Sequence, residues 1–238
     1  MQMTKVSGPE CELCKSRVSC FFADLKGGDF QEFRDSRISN VYKKRQVVFY
    51  EGHKPHGVFI ACRGRVKVYK TDDKGHQLTT RIADQGNILG YRALLSGEPY
   101  SATAEALEES CLAYIDEVRF RALLARNQPM ALRMILQLAK DVRIAEDKAR
   151  DMAMKSSRER LAELLLMLRA TYGKAEKPGA GLKLPFTRQD LADLAGLAQE
   201  TVIRLLSELE QKKVISINGR NLTILNERAL EKYSATVT

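Results

Sequence analysis

Apolar residues recur with a helical period near the end of the chain, between Thr187 and Val214. Thr187 is followed three residues later by Asp190, a pairing typical of the capping box that begins a helix. Gly196 interrupts this helix, and a second helix is predicted from about Gln199. Its apolar residues have the i, i+3, i+4, i+7 spacing of a buried helical face: Val202, Leu205, Leu206 and Leu209. The pattern therefore predicts two helices joined by a tight turn.

The opposite face of the second helix carries side chains that can read DNA bases. A glutamate such as Glu200 can accept a hydrogen bond from cytosine, and an arginine such as Arg204 can donate two hydrogen bonds to guanine. Ile203 lies between them, where an exposed apolar side chain suits the methyl group of thymine. This spacing favours a helix-turn-helix over an ordinary amphipathic hairpin, with the second helix entering the major groove. The residues predicted to contact DNA are Arg188, Gln199, Glu200, Thr201, Ile203, Arg204, Ser207, Lys212 and Lys213.

Two short β-branched runs follow the second helix, from Val214 to Ile217 and from Leu222 to Leu225. Asn218 and Gly219 between them are a strong signal for a β-hairpin. A helix-turn-helix followed by a hairpin is a winged helix. The last third of the chain is therefore predicted to be a winged helix-turn-helix domain.

The middle of the chain has a residue pattern typical of strands rather than helices. From Val41 to Tyr114, short β-branched or aromatic runs alternate with turns that contain glycine. Many short strands with regular turn signals are typical of a β-sandwich or a barrel. Short helices are predicted on either side, at 28–37 and at 116–126.

A long helix is predicted from about Pro129 to Lys155. Its apolar residues step by three and four positions, which is the seam of a coiled-coil contact. Such a seam can form a two-helix dimer contact, and a single helix lying on the β domain is the alternative. The predicted seam residues are Ile135, Leu138, Val142, Ala145, Ala149 and Met152.

Composition narrows the class of protein. The chain has 238 residues, 44% of them hydrophobic, and its net charge of +9 suits a polyanionic partner. It lacks both an apolar run of the ~18 residues that a membrane helix needs and an apolar leader at its beginning, so we expect a cytoplasmic protein without a membrane partner. It also lacks a phosphate-binding loop and a hydrolytic triad, so we do not expect an enzyme.

Three cysteines lie within ten residues near the beginning of the chain: Cys11, Cys14 and Cys20, with the spacing C-x2-C-x5-C. A short loop with three thiolates can wrap one metal centre, and thiolate suits zinc or an iron–sulfur cluster. Free or disulfide-forming redox thiols are the alternative. Two further cysteines, Cys62 and Cys111, are available as a fourth ligand.

The predicted helix-turn-helix resembles the DNA-binding domain of the Crp/Fnr family of bacterial transcription regulators. The stretch RQDLADLAGLAQETVIRLLSELE carries the resemblance, and the family's E-T-V/I-x-R pattern matches Glu200, Thr201, Val202 and Arg204. The resemblance implies an α+β protein of four parts. These are a cysteine-rich segment (1–27), a β jelly-roll sensor domain of the cyclic-nucleotide-binding kind (28–126), a dimerisation helix (127–155) and a winged helix-turn-helix domain (156–238).

The same resemblance implies partners. Family members bind inverted-repeat promoter DNA as homodimers and contact RNA polymerase, and the loop at 174–181 corresponds to one of their polymerase contacts. The sequence leaves open the target genes, the direction of regulation and the physiological signal.

Within the resemblance, the C-x2-C-x5-C segment is similar to that of Fnr-like oxygen sensors, where three such cysteines and a distant one hold a [4Fe-4S] cluster. The distant cysteine follows an A-L-E-T-S stretch and falls at the position of Ala113, whereas here Cys111 follows Ser110 at once. Side chains alternate along a strand, so a shift of two residues keeps Cys111 on the same face. We therefore predict Cys111 as the fourth ligand and Cys62 as a core residue. An aspartate or a water-borne ligand is the alternative.

The resemblance also bears on cyclic nucleotides. Relatives that bind cAMP use a glutamate for the ribose and an arginine for the phosphate, and Tyr91 and Tyr100 replace them here. Arg92 is close by but one residue out of place. We therefore expect no cAMP binding, and a regulator that responds to oxygen or nitric oxide through its cluster. The alternatives are a regulator of the same fold with redox thiols or no metal, and one that responds to a small ligand.

Overall fold

The computed structural model describes residues 11–12, 14, 16–172, 182–183, 186–219 and 221–234. The beginning of the predicted cysteine-rich segment, the predicted loop at 174–181 and Arg220 of the predicted hairpin lie outside the described residues. The chain forms two compact units. The first combines residues 1–70 with 80–142, and the second combines residues 71–79 with 143–238.

The first unit contains two four-stranded sheets and confirms the prediction of a mainly β domain. Its strands are β1 (Ile38–Tyr42), β2 (Val47–Phe49), β3 (Gly57–Arg63), β4 (Val66–Thr71), β5 (Gln77–Ala83), β6 (Ile88–Leu89), β7 (Thr103–Ala106) and β8 (Ser110–Asp116), except that the last residue of β4 and the first three of β5 fall in the range of the second unit. Its helices are α1 (Gly27–Ser36), α2 (Tyr91–Ser96), α3 (Glu117–Arg126) and the first part of α4 (Gln128–Met154). One sheet has the order β1-β8-β3-β6, and the other has the order β2-β7-β4-β5.

The sheet that contains β3 and β8 has an apolar core on each face, because alternate residues of a strand point to opposite sides. Leu112 packs with Val68 of the other sheet. Its neighbour Ala113 packs on the opposite side with Phe22 and with Met134 of α4. The segment before α1 and the long helix therefore share one core, which we call the helix-side core.

A β-bulge interrupts the pairing of β3 with β8. Ala61 lies opposite Leu112 and Arg63 lies opposite Cys111, so that Cys62 is the extra residue between them. Cys62 is half-buried and packs against the helix-side core. Bulges commonly change the direction of one side chain, and this one decides what Cys62 can contact.

The second unit contains the predicted winged helix-turn-helix. Its elements after α4 are α5 (Ser157–Tyr172), β9 (Leu182–Lys183), α6 (Arg188–Ala195), α7 (Gln199–Gln211), β10 (Ile215–Asn218), β11 (Asn221–Ile224) and α8 (Glu227–Ser234). The Thr187 side chain accepts a hydrogen bond from the Asp190 backbone, and the Asp190 carboxylate accepts one from the Thr187 backbone, which is the predicted capping box. β10, β11 and β9 form a small sheet in that order. None of the described helices is both long and apolar enough to cross a membrane.

Candidate functional site

The face of α7 predicted to read DNA is exposed. The four apolar residues of its other face are at most 4% exposed, and they hold the helix against its own unit. Gln199, Glu200, Ile203, Arg204 and Ser207 are exposed, as are Lys212 and Lys213 beyond the end of the helix, whereas Arg188 and Thr201 are half-buried. Of these, Ile203 is 47% exposed, so its side chain is accessible to a partner on this face.

Arg204 is held by an ion pair within α7. Its Nη1 lies 2.6 Å from Oε1 of Glu208, four residues further along the helix. Glu208 also accepts a hydrogen bond from Nη2 of Arg158 at 2.9 Å. The guanidinium of Arg204 is therefore extended along the helix surface, and its side chain remains 63% exposed.

The turn between α6 and α7 is fixed from the preceding helix. Gly196 has a φ of 63°, a left-handed conformation that favours glycine. Arg160 of α5 donates hydrogen bonds to the carbonyl oxygens of Ala195 at 3.3 Å and Gly196 at 3.1 Å. A guanidinium at the end of α6 also offsets the negative end of its dipole. The sequence does not reveal this role of Arg160, because it depends on how α5 packs.

Four cysteines line one pocket of the first unit. Cys11, Cys14 and Cys20 line it from the segment before α1, and Cys62 lines it from the bulge in β3. Its apolar walls include Phe22, Phe33 and Ile60, and its polar lining includes Ser16, Arg17, Arg37 and Gln85. We call it the cysteine pocket.

The fourth cysteine of the pocket differs from the one that the sequence predicts. Among the described residues Cys111 does not line the cysteine pocket; it is buried in β8, where it is opposite Arg63. Cys62, predicted to be only a core residue, is the cysteine beside the other three. The alternation rule placed Cys111 on a plausible face but could not locate the bulge.

Consecutive turns bring the three N-terminal cysteines to the pocket. The backbone N–H of Arg17 donates to the carbonyl of Cys14 at 3.0 Å, and that of Cys20 donates to the carbonyl of Arg17 at 3.2 Å. The backbone N–H of Phe21 then donates a hydrogen bond to the carbonyl of Gly86 at 3.0 Å. A Cβ at Gly86 would lie 3.1 Å from the Cα of Cys20, so the small residue lets the two segments approach closely.

Burial and charge act in opposite directions on these thiols. Burial raises the pKa of Cys11, and the charge of Arg37 partly offsets that rise. Burial also raises the pKa of Cys20, and it raises that of Cys62 to about 12. Thiolate ligands must be deprotonated, so metal binding here would release protons. Among the described residues, no group of three or more His, Cys, Asp and Glu side chains already has the geometry of a metal site.

A second pocket of the first unit contains Tyr91 and Tyr100, the two tyrosines singled out in the sequence. Its lining includes Arg81, Tyr91, Arg92, Tyr100 and Ser101. The Tyr91 hydroxyl donates a hydrogen bond to Asp141 of α4 and accepts one from Arg81 at 3.0 Å. Oδ2 of Asp141 lies 4.0 Å from the nearest guanidinium nitrogens of both Arg81 and Arg92. An internal carboxylate therefore faces the cations of this pocket, an arrangement that the sequence analysis missed.

The predicted seam of α4 is exposed apart from one residue. Ile135, Val142, Ala145, Ala149 and Met152 are all exposed. Leu138 is half-buried and packs against the helix-side core. The exposed residues Leu132, Ile135, Ala139 and Val142 keep the spacing of three and four positions without it.

Comparison with known proteins finds a matching domain family for each of the two units. A model of the cyclic nucleotide-binding domain matches residues 39–127, and a model of the Crp-like helix-turn-helix domain matches residues 159–233. The anaerobic regulatory protein of Bacillus subtilis is 29% identical over 209 residues, which are 87% of this chain and 87% of that protein. The cAMP-activated global transcriptional regulator CRP of Escherichia coli O6:H1 is 26% identical over 188 residues, or 79% of this chain and 89% of its own. The structure of FixK2 from Bradyrhizobium japonicum has the same fold, with a TM-score of 0.73 at 24% identity, covering 85% of this chain and 99% of that one.

Proposed function

Because the chain belongs to the Crp/Fnr family of DNA-binding transcription regulators, we propose that it is a redox-responsive member whose cysteine pocket holds a [4Fe-4S] cluster. The ligands would be Cys11, Cys14, Cys20 and Cys62. The observation that carries the proposal is that these four cysteines, from two separate parts of the chain, line one pocket. A relative named as an anaerobic regulatory protein is consistent with it.

The chemistry of the pocket suits such a cluster. A [4Fe-4S] cluster is held by four cysteine thiolates, each bound to a different iron, so it needs a cavity lined by cysteines rather than sulfurs in mutual contact. Phe22, Phe33 and Ile60 form an apolar shell, and apolar surroundings limit solvent access to a cluster. Arg17 and Arg37 supply positive charge beside a group that is negative overall. When bound, the cluster would supply a centre that reacts with oxygen or nitric oxide.

The walls of the pocket offer a route from the cluster to the long helix. Phe22 and Phe33 line the pocket and also pack in the helix-side core with Met130 and Met134 of α4. An occupant that orders the cysteine segment would therefore stabilise the packing around the beginning of α4. We propose that this biases the helix between two arrangements, which is what a switch of this kind requires.

We also propose that α4 forms the homodimer, and that the dimer binds an inverted repeat of DNA and contacts RNA polymerase. The exposed residues Leu132, Ile135 and Val142 support the dimer, because monomeric proteins rarely leave such an apolar stripe uncovered. Two copies of α7 related by a twofold axis would then read two half-sites.

We expect Val142→Glu to abolish most dimerisation. The substitution places two carboxylates across a dry seam, at a cost of about 3–5 kcal/mol for uncompensated buried charge, which weakens association at least ~100-fold. Sedimentation velocity measures the effect. Ile144→Glu is the matched control, since Ile144 is exposed but lies about 200° around the helix from Val142. A Val142→Glu protein that remains dimeric would place the seam elsewhere.

We expect cAMP not to raise the affinity for DNA. Tyr91 and Tyr100 replace the groups that hold the ribose and the phosphate in relatives that bind cAMP, and Asp141 already faces Arg81 and Arg92. A second anion would have to displace that carboxylate. Titration calorimetry and DNA binding with and without cAMP measure this directly. Micromolar binding coupled to tighter DNA binding would contradict it.

The proposal is tested by purification without oxygen. We expect a brown protein with about four iron and four sulfide per chain, and tighter specific DNA binding before exposure to oxygen or nitric oxide than after it. Iron and sulfide analysis, the visible spectrum and a DNA-binding titration on the same sample provide the measurements. Stoichiometric zinc without iron would overturn the proposal, and so would a full cluster whose loss leaves DNA binding unchanged.

A further inference from the structure

Arg37 lies at the boundary between the cysteine segment and the β-sheet. It immediately follows α1, and its backbone N–H donates to the carbonyl of Phe33, which ends that helix. This position directs the half-buried side chain into the cysteine pocket, where Nη1 donates a hydrogen bond to Sγ of Cys11. The guanidinium therefore touches a proposed ligand directly.

We propose that Arg37 tunes the cluster, raising its reduction potential and slowing its attack by oxygen. This role rests on the proposed function. A cluster with four thiolates is negative overall, and a cation at its edge stabilises the more negative, reduced form. Hydrogen bonds to the sulfurs act in the same direction. Losing the cation makes loss of an electron easier, and oxidation is how oxygen destroys the cluster.

Arg37 lies beside proposed ligands from both parts of the chain. Its guanidinium contacts Cys11 of the loop, and its side chain lines the same pocket as Cys62 of β3. One cation can therefore act on sulfurs from both sides of the pocket. Contact across a partly buried pocket also escapes most of the screening that weakens surface charges.

Arg17 lines the same pocket but has a different environment. Its guanidinium donates to the carbonyl of Leu25 at 3.4 Å and lies 3.9 Å from the centre of the Phe30 ring. These contacts hold the loop onto α1. Arg37 is the pocket arginine for which the described contacts include a cysteine sulfur.

The test compares Arg37→Gln, Arg37→Lys and Arg63→Gln with the wild type, using the full chain purified without oxygen. Arg63 is the matched control, because it is next to Cys62 in the chain but is 64% exposed and paired with Glu109. For each protein we measure iron and sulfide, the midpoint potential, and the rate at which a fixed dose of oxygen bleaches the visible absorption. These readouts do not depend on DNA binding.

We expect Arg37→Gln to bleach about tenfold faster, in keeping with the loss of a hydrogen bond to a charged group. The same factor in a one-electron equilibrium corresponds to a potential about 59 mV lower. Arg37→Lys retains the charge, so its bleaching rate should stay within about threefold of the wild-type rate. A threefold change corresponds to only a fraction of the energy of one charged hydrogen bond. Arg63→Gln should match the wild type, because solvent screens its charge.

Two results would overturn the role of Arg37. One is an iron-loaded Arg37→Gln protein with the potential and bleaching rate of the wild type. If Arg37→Gln does not fold or does not load iron, Arg37→Lys becomes the decisive variant. Bleaching of Arg37→Lys that is tenfold faster than wild type would then show that the charge of Arg37 does not protect the cluster. A wild-type protein that binds no iron overturns the proposed function itself, and the role of Arg37 with it.

Discussion

Cys62→Ser will remove the iron from the protein purified without oxygen, whereas Cys111→Ser will leave it in place. Cys62 lines the cysteine pocket together with Cys11, Cys14 and Cys20, and Cys111 is opposite Arg63 in the neighbouring strand. Serine preserves the size of either side chain but replaces a soft thiolate with a hard oxygen, which iron–sulfur clusters bind poorly. Cys11→Ser, Cys14→Ser and Cys20→Ser should each have the effect of Cys62→Ser.

The measurements are iron per chain and the visible absorption, with circular dichroism to show that each variant is folded. Cys111→Ser is the matched control, since it removes a cysteine from the adjacent strand by the same chemistry. Loss of iron from Cys111→Ser together with full loading of Cys62→Ser would favour Cys111, the fourth ligand predicted from the family resemblance. Full loading of both variants would point to a ligand that is not a cysteine.

The DNA-binding unit could be predicted almost completely from the sequence, because its signals are local. The capping box of Thr187 and Asp190, the left-handed Gly196 and the four buried residues of α7 each depend on neighbours within a few positions. The helix-turn-helix therefore matches the prediction closely. α8 was not predicted, although its Leu230 is fully buried in the same unit.

The cysteine pocket shows where sequence reasoning fails. The choice between Cys62 and Cys111 depends on one bulge in the register of β3 against β8, which no local pattern announces. Leu138 follows the heptad of the long helix, yet it packs into the helix-side core because its side of the helix faces the sheet domain of its own unit. The carboxylate of Asp141 beside Tyr91 joins residues fifty positions apart. Each of these features depends on a contact between residues far apart in the sequence, which a local pattern does not contain.

Arg204→Ala is expected to cost about 1–3 kcal/mol of binding free energy on the specific DNA site and far less on random DNA. In the free protein Arg204 pairs with Glu208, an exposed contact that solvent screens. Two hydrogen bonds to guanine are worth about 1–3 kcal/mol of discrimination. Arg204 is therefore expected to leave Glu208 and bind the base. The ion pair also holds the guanidinium extended along the exposed face before DNA arrives.

The site expected from this face is an inverted repeat whose half-sites contain TGA, of the TTGAT or TTGAC form that the family resemblance implies. Arg204 reads the guanine, Glu200 reads a cytosine paired with it or next to it, and Ile203 covers a thymine methyl. The family resemblance implies that Gln199 replaces an arginine of cAMP-responsive relatives, so we expect a weaker preference for TGTGA sites. The twofold axis sets the half-sites about 10–10.5 base pairs apart.

Lysine variants separate recognition of bases from attraction to phosphates. Lys212 and Lys213 are exposed beyond the end of α7, and Lys213 has a left-handed φ of 54°. Replacing either with alanine should weaken binding to specific and random DNA about equally. It should also lower the slope of log affinity against log salt concentration by about one. Binding selection with the cluster-loaded protein, followed by titrations at several salt concentrations, measures both effects. An enriched motif without an inverted repeat, or an Arg204→Ala protein that loses specific and random DNA alike, would show that α7 reads DNA with a different face.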